Sequence, residues 1–87
     1  MFVILVYDVG ERRVAKVLKI ARKYLYWVQN SVLEGEISEA NLVKLKTELS
    51  KKINKHEDSI IVYHFKSLRY YEREIIGVKK GGQDLIL

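Results

Sequence analysis

An aspartate at the end of an apolar run is the residue of this chain best suited to chemistry. Residues 2–7 are apolar or aromatic without a break, and Asp8 follows them directly. Such a run predicts a strand covered on both faces, and a carboxylate at its carboxyl end is well placed for a divalent cation. Mg²⁺ takes about six oxygen ligands and usually one or two carboxylates. One aspartate alone is a poor Mg²⁺ site, and a two-fold axis near Asp8 would supply the second carboxylate, which makes activity conditional on dimerisation.

The same aspartate has a second interpretation. Asp8 and Glu11 form a D-x-x-E pattern before a helical periodicity, which is the signature of a capping box. In that interpretation the Asp8 side chain accepts hydrogen bonds from the first N–H groups of the helix and takes no part in chemistry. The residues alone leave both interpretations open.

Positive charge is concentrated in the segment that follows. Residues 11–24 contain six Lys and Arg residues against Glu11 alone, an excess that equals the formal net charge of +5 for the whole chain. Helical spacing of apolar residues predicts a helix with one buried face, formed by Val14, Val17, Leu18, Ala21 and Leu25. Four cations on the opposite side form what we call the basic stripe: Arg12, Lys16, Lys19 and Lys23. A stripe without acidic partners one turn away favours a polyanionic ligand over a merely solvated helix face.

The rest of the chain is predicted to consist of strands and one more helix. Residues 26–34 predict a strand with one polar face, followed by a strand-like return. Ser38 is the predicted N-cap of a second helix, whose buried stripe is Leu42, Leu45, Leu49 and Ile53. Residues 59–65 contain the second unbroken apolar run, and residues 70–76 predict a last strand before the C-terminal tail.

This order of elements predicts an α+β fold. It is a ferredoxin-like βαββαβ arrangement with an extra C-terminal strand and two helices on one face of an antiparallel sheet. The two strands with unbroken apolar runs are expected to be central. Residues 1–87 are predicted to form a single domain, with residues 78–87 as a C-terminal strand that docks on a partner. Because both faces of the first strand are apolar, a second copy is expected to cover the open face of the sheet.

Composition excludes several classes of function. The chain has no cysteine, which excludes disulfides, zinc–thiolate sites and thiol nucleophiles. No segment approaches the roughly 20 apolar residues of a membrane span, and the leading apolar run is too short for a signal peptide, so a cytoplasmic protein is expected. Residues 59–65 lack the basic-glycine-aromatic start of an RNA-recognition motif. His64, in the same strand, is expected to be a packed core residue.

Several short motifs, taken together, resemble those of a known family. They lie in the right order across the chain: Tyr7-Asp8-Val9, Arg13-Val14-Ala15-Lys16, the segment QNSVLEG at residues 29–35, Ile76-Gly77 and Asp84-Leu85-Ile86. In these motifs and in its length the chain is similar to the Cas-two endoribonucleases, small CRISPR-associated proteins of spacer acquisition. It departs from the family pattern at three positions, where glycine, arginine and phenylalanine are often found: Leu25, Trp27 and Leu33.

The resemblance implies a prokaryotic, ferredoxin-like homodimer in which one Asp8 from each subunit shares a single Mg²⁺, with Mn²⁺ as the alternative ion. It also implies a metal-dependent endonuclease on single-stranded RNA or duplex DNA, and a scaffold that inserts spacer DNA together with the CRISPR integrase. Arg13 matches a basic position of the family and is expected to hold a phosphate beside Arg12. Minor roles are expected for Ser31, which matches a motif serine, and for Glu11. A non-catalytic scaffold and a toxin-like RNA interferase remain alternatives.

Overall fold

The computed structural model describes residues 1–66 and 71–78, with only the backbone of Tyr71. The elements in chain order are β1 (Phe2–Asp8), α1 (Glu11–Ala21), β2 (Tyr26–Gln29), β3 (Val32–Glu36), α2 (Glu39–Lys52), β4 (Ser59–Phe65) and β5 (Tyr71–Gly77). The strands form one antiparallel sheet in the order β2-β3-β1-β4-β5. This is the predicted α+β fold: a ferredoxin-like sheet, with β5 added alongside β4.

The two strands with unbroken apolar runs lie inside the sheet, as predicted. Strand β1 pairs with β3 and β4, and β4 pairs with β1 and β5. Burial alternates along β1, because successive side chains point to opposite faces. Val3, Leu5 and Tyr7 are buried under the helices, whereas Phe2, Ile4 and Val6 are half-buried on the open face. Apolar residues on both faces are what an interior strand of this sheet requires.

Both helices pack on one face of the sheet and supply the core side chains Val17, Ile20, Ala21, Leu42, Leu45 and Leu49. Helix α1 ends at Ala21, and Leu25 lies beyond it, buried, with its N–H donating to the Ala21 carbonyl over 2.9 Å. Helix α2 has the predicted N-cap, because the Ser38 hydroxyl accepts a hydrogen bond from the Asn41 N–H at 3.1 Å. His64 is 6% exposed and is therefore a core histidine, as expected.

The prediction of one strand over residues 26–34 is wrong, because this segment belongs to the hairpin of β2 and β3. The turn contains Asn30, whose φ of +44° lies in the left-handed region that asparagine tolerates. Its backbone carbonyl accepts hydrogen bonds from the Tyr7 hydroxyl at 3.3 Å and from Trp27 Nε1–H at 2.8 Å. The Tyr7 N–H also donates to the Ser31 carbonyl at 3.0 Å. These bonds fasten the hairpin turn to the end of β1.

The face of the sheet opposite the helices has an apolar centre along β1 and β4, flanked by charged residues on β3 and β5. Cross-strand partners share a face, and the register places Ile4 opposite Tyr63, Val6 opposite Val32 and Val6 opposite Ile61. These side chains are half-buried in the single chain. Coverage of this face by a second copy remains a prediction.

The predicted C-terminal docking strand lies almost wholly outside the described residues. Val78 is described, and its N–H donates to the Asp58 carbonyl over 2.8 Å; residues 79–87 are not. The last described strand, predicted over residues 70–76, runs from Tyr71 to Gly77. No helix in the described part of the chain is long and apolar enough to span a membrane.

Candidate metal and nucleic-acid site

Asp8 is the exposed last residue of β1. On one side it pairs with Ser59, the first residue of β4. On the other side lies the hairpin turn, since the preceding residue Tyr7 bonds to the Ser31 carbonyl. Glu11, the exposed first residue of α1, follows three positions later. Asp8, Glu11 and Ser31 therefore lie at the same end of the sheet.

The capping-box interpretation of Asp8 is wrong. The N-cap of α1 is Gly10, so Glu11 occupies the first helical position instead of the third position that a capping box requires. A different carboxylate serves this end of the helix, because the Gly10 N–H donates to Asp58 Oδ1 at 2.9 Å. The Asp8 side chain is therefore not the cap of α1.

Asp58 is the residue of this region that the sequence reasoning missed. Its carboxylate is fully buried and accepts four hydrogen bonds. Arg13 donates from Nε to Oδ2 at 2.5 Å and from Nη2 to Oδ1 at 3.0 Å. The N–H groups of Gly10 and Asn54 complete the set, the latter at 2.8 Å. The Arg13 hydrogen bond, assisted by those two N–H groups, holds the pKa of the Asp58 carboxyl far below its usual range.

Arg13 was predicted to hold a phosphate, but the structure gives its guanidinium another role. Besides Asp58 it contacts Glu57 Oε2 at 3.1 Å. The paired carboxylates raise the pKa of Arg13, chiefly through the hydrogen bond to Asp58. We therefore assign Arg13 a structural role: it joins the first turn of α1 to the loop between α2 and β4. The signal available in the sequence was an acidic pair, Glu57-Asp58, directly before a buried strand.

The basic stripe is displayed on the surface. Arg12, Lys16 and Lys19 are exposed on α1, and a rise of 1.5 Å per residue spreads them over roughly 10 Å. Lys23 lies beyond the end of the helix and forms an exposed ion pair with Glu48 Oε1 at 2.9 Å. The stripe is thus a cationic edge that begins four residues after Asp8.

The described residues of one chain offer only part of a metal site. Within residues 1–66 and 71–78, no group of three or more His, Asp or Glu side chains is placed to hold a metal ion. Asp8 does supply an exposed carboxylate, which is the hard oxygen donor that Mg²⁺ prefers. The donor type therefore fits the ion, and further ligands must come from water, from a substrate or from another chain.

Comparison with known proteins identifies the family. Residues 1–73 match the family model described as CRISPR associated protein Cas2. The chain belongs to the Cas2 family. A relative from Dictyoglomus turgidum is 54% identical over the full length of both chains, and one from Thermotoga maritima is 56% identical over 99% of each. Both relatives bear the name CRISPR-associated endoribonuclease Cas2.

Solved Cas2 structures share the fold. One, described as "Crystal structure of cas2", superposes with a TM-score of 0.74 at 38% identity and covers 100% of this chain and 98% of its own. The crystal structure of Streptococcus pyogenes Cas2 at pH 6.5 has a TM-score of 0.70 at 34% identity, covering 75% of this chain and 86% of its own. The family expected from the sequence motifs is thereby confirmed, together with the fold class.

Proposed function

We propose that this Cas2 family chain is a metal-dependent endoribonuclease of CRISPR adaptation whose active site is built from two copies of the chain. One observation carries the proposal: an exposed carboxylate, Asp8, ends a central strand at the edge where the basic stripe begins. The names of its relatives support the nuclease activity. The apolar centre of the open face supports the second copy, because a soluble monomer rarely exposes a large contiguous apolar patch.

In this proposal the two Asp8 carboxylates hold one Mg²⁺, or Mn²⁺ in its place. Such an ion, when bound, generates a nucleophilic water at neutral pH and offsets negative charge on the phosphate under attack. Asp8 supplies ligand oxygens and sets where the scissile phosphate lies. Ser31 lies at the same end of the sheet through the hairpin turn and is a candidate donor to a phosphate oxygen. Glu11 is exposed near the same place and is a candidate for an outer contact.

The basic stripe supplies the attraction for the substrate. Arg12, Lys16 and Lys19 present cations along one helix edge, a pattern that holds a phosphate chain. Contacts of this kind carry no base information, so they suit single-stranded RNA and duplex DNA alike. Lys23 contributes less than the other three, because its ammonium group already pairs with Glu48.

The test is cleavage of labelled single-stranded RNA and duplex DNA, with Mg²⁺ or with EDTA. Asp8→Asn should abolish cleavage, by about 100-fold or more, because a neutral amide is a poor ligand for the ion that generates the nucleophilic water. RNA binding and dimerisation should stay within about twofold of wild type, since Asp8 is exposed and polar. Glu39→Gln is the matched control: it removes the same charge from an exposed side chain at the start of α2 and should retain full activity. Full cleavage by Asp8→Asn, or cleavage in EDTA, would contradict the proposal.

A second candidate function is a nucleic-acid scaffold that works with an integrase and does not cut. The exposed basic stripe favours it, because phosphate binding by the stripe needs no contribution from Asp8. The double variant Lys16→Glu with Lys19→Glu should then weaken duplex binding and flatten its salt dependence. The matched control reverses the same number of charges on α2, at Lys44 and Lys51, which are also exposed. Equal losses in both double variants would show that net charge matters and the stripe does not.

A further inference from the structure

An aromatic side chain and a cation are stacked at the edge of the sheet, outside the site described above. Trp27 in β2 is 49% exposed, and the Arg22 guanidinium carbon lies 5.6 Å from the centre of its ring. The hydrogen bond from Trp27 Nε1–H to the Asn30 carbonyl holds the ring in place. The neighbouring side chain, Tyr26, is 80% exposed. Successive strand side chains point to opposite faces, so Tyr26 lies on the open face of the sheet and Trp27 lies on the helix face beside Arg22.

A cavity adjoins this stack. It has a volume of about 390 Å³ and is lined by Ala15, Leu18, Lys19, Arg22 and Lys23. Its floor is apolar and its rim is cationic. Arg22 belongs both to the rim and to the stack on Trp27, so this side chain connects the cavity to the aromatic ring. Lys19 and Lys23 belong at the same time to the basic stripe.

We propose that Trp27, Arg22 and this cavity form a stacking site for the unpaired bases of a single-stranded nucleic acid. The inference rests on the proposed function, because the basic stripe must hold the phosphates of the same strand. Aromatic rings and arginine planes bind bases through their faces, whatever the base. In a duplex those faces are covered by neighbouring base pairs, so a duplex would contact the stripe but not the ring.

The position of the stacking site relates it to Asp8. The Asn30 carbonyl that fixes Trp27 also accepts the hydrogen bond of the Tyr7 hydroxyl, and Tyr7 directly precedes Asp8. A strand with a base on Trp27 would therefore run past the hairpin turn toward the end of β1. This gives a physical reason for a preference for single-stranded RNA over duplex, which the cations alone cannot provide.

The first part of the test uses intrinsic fluorescence, because Trp27 is the single tryptophan of the chain. Oligouridine, an abasic strand of the same length and a DNA duplex of equal phosphate number are titrated into the wild-type protein. The proposal predicts that oligouridine quenches the emission of Trp27 and shields it from acrylamide. The abasic strand and the duplex should bind with little quenching. Equal quenching by the abasic strand would overturn the proposal.

The second part measures affinity with labelled oligonucleotides. Trp27→Leu should weaken oligouridine binding by about 5- to 140-fold, the range that stacking of one base supplies, and leave duplex affinity within about twofold. Trp27→Phe keeps a ring but loses the bond to Asn30, and should stay close to wild type. The control is Val43→Ala, which shortens an exposed apolar side chain elsewhere, on α2. It should leave the affinity for both oligonucleotides unchanged. Thermal melts of each variant establish that it folds.

The outcomes separate this inference from the proposed function. If Trp27→Leu binds oligouridine as tightly as wild type while cleavage still requires Asp8, the stacking site is refuted and the nuclease proposal stands. If Trp27→Phe loses as much affinity as Trp27→Leu, the ring face is not the binding element and the inference also fails. If no oligonucleotide binds to the wild-type protein, both proposals fail together.

Discussion

Replacing the buried carboxylate of Asp58 by an amide should strongly destabilise the fold. Asp58→Asn keeps the shape of the side chain but removes its charge. It also places an NH₂ group against N–H donors, because Arg13, Gly10 and Asn54 all donate to this carboxylate. Whichever oxygen becomes NH₂, one bond from the guanidinium and one from a backbone N–H are lost, and the remaining oxygen carries no charge to pair with Arg13.

The expected magnitude is large for a chain of this size. Breaking a buried ion pair by removing one partner costs about 3–5 kcal/mol, and a domain of 87 residues is stable by roughly 4–13 kcal/mol in total. A loss of about 3 kcal/mol should lower the melting temperature by roughly 12–24 °C. The assay is urea and thermal unfolding followed by circular dichroism. Protein concentration is held fixed, because the stability of a dimer depends on it.

Glu57→Gln is the matched control for this experiment. It removes the same charge at the preceding position, from a carboxylate that also pairs with Arg13. The Glu57 side chain is 66% exposed, whereas the Asp58 side chain is 0% exposed. Exposed pairs contribute about 0–1 kcal/mol, so Glu57→Gln should be nearly neutral. Equal and small losses in the two variants would refute the assignment of Asp58 as the structural carboxylate of this region.

The same residue predicts how stability depends on pH. The pKa of Asp58 is lowered in the folded protein, so its carboxylate contributes stability that is fully present above the ordinary pKa of about 3.9. That contribution falls as the pH drops below this value, because the proton binds more tightly to the unfolded chain. The difference in stability between wild type and Asp58→Asn should therefore shrink from pH 5 toward pH 2. A difference that stays constant over this interval would contradict the lowered pKa of Asp58 in the folded protein.

Two smaller perturbations test other parts of the fold by the same unfolding assay. Gly77→Ala should lower the free energy of unfolding by about 2–4 kcal/mol. The reason is that φ at Gly77 is +99° and an added Cβ would collide with the Asp58 carbonyl oxygen. An unchanged melting temperature would contradict this backbone geometry. Ser38→Ala should cost about 1 kcal/mol through loss of the N-cap bond to Asn41. Ser50→Ala, later in α2, is its control and should stay within about 0.5 kcal/mol.

The fold could be predicted from sequence because its signals are local and periodic. Two unbroken apolar runs predicted the interior strands, and Ser38 predicted the start of α2. The hairpin was missed because the aromatic and β-branched residues around Asn30 favour a strand. The turn depends on one left-handed residue whose carbonyl is held by Tyr7 and Trp27. Such a turn is stabilised by tertiary contacts that strand propensity does not contain.

The candidate site could be predicted only in part, because only some of its residues follow from local patterns. Asp8 follows from its place at the end of an apolar run, and Arg12, Lys16 and Lys19 follow from helical geometry. Arg13 has the same chemistry and nearly the same position as Arg12, so composition could not separate them. What separates them is Asp58, which lies 45 residues away in sequence and reaches Arg13 through the fold. The ion pair is a long-range contact, and the acidic pair at residues 57–58 does not by itself indicate which cation it binds.

The most direct test of the central claim, that two copies of Asp8 build one site, is a mixing experiment. Wild-type chains and Asp8→Asn chains are refolded together in varied ratios, and Mg²⁺-dependent cleavage of single-stranded RNA is measured at constant total protein. If each site needs both carboxylates, activity falls with the square of the wild-type fraction, to about one quarter in an equal mixture of freely pairing subunits. Activity that falls in simple proportion, to about one half, would show that each chain carries its own site and would contradict the account.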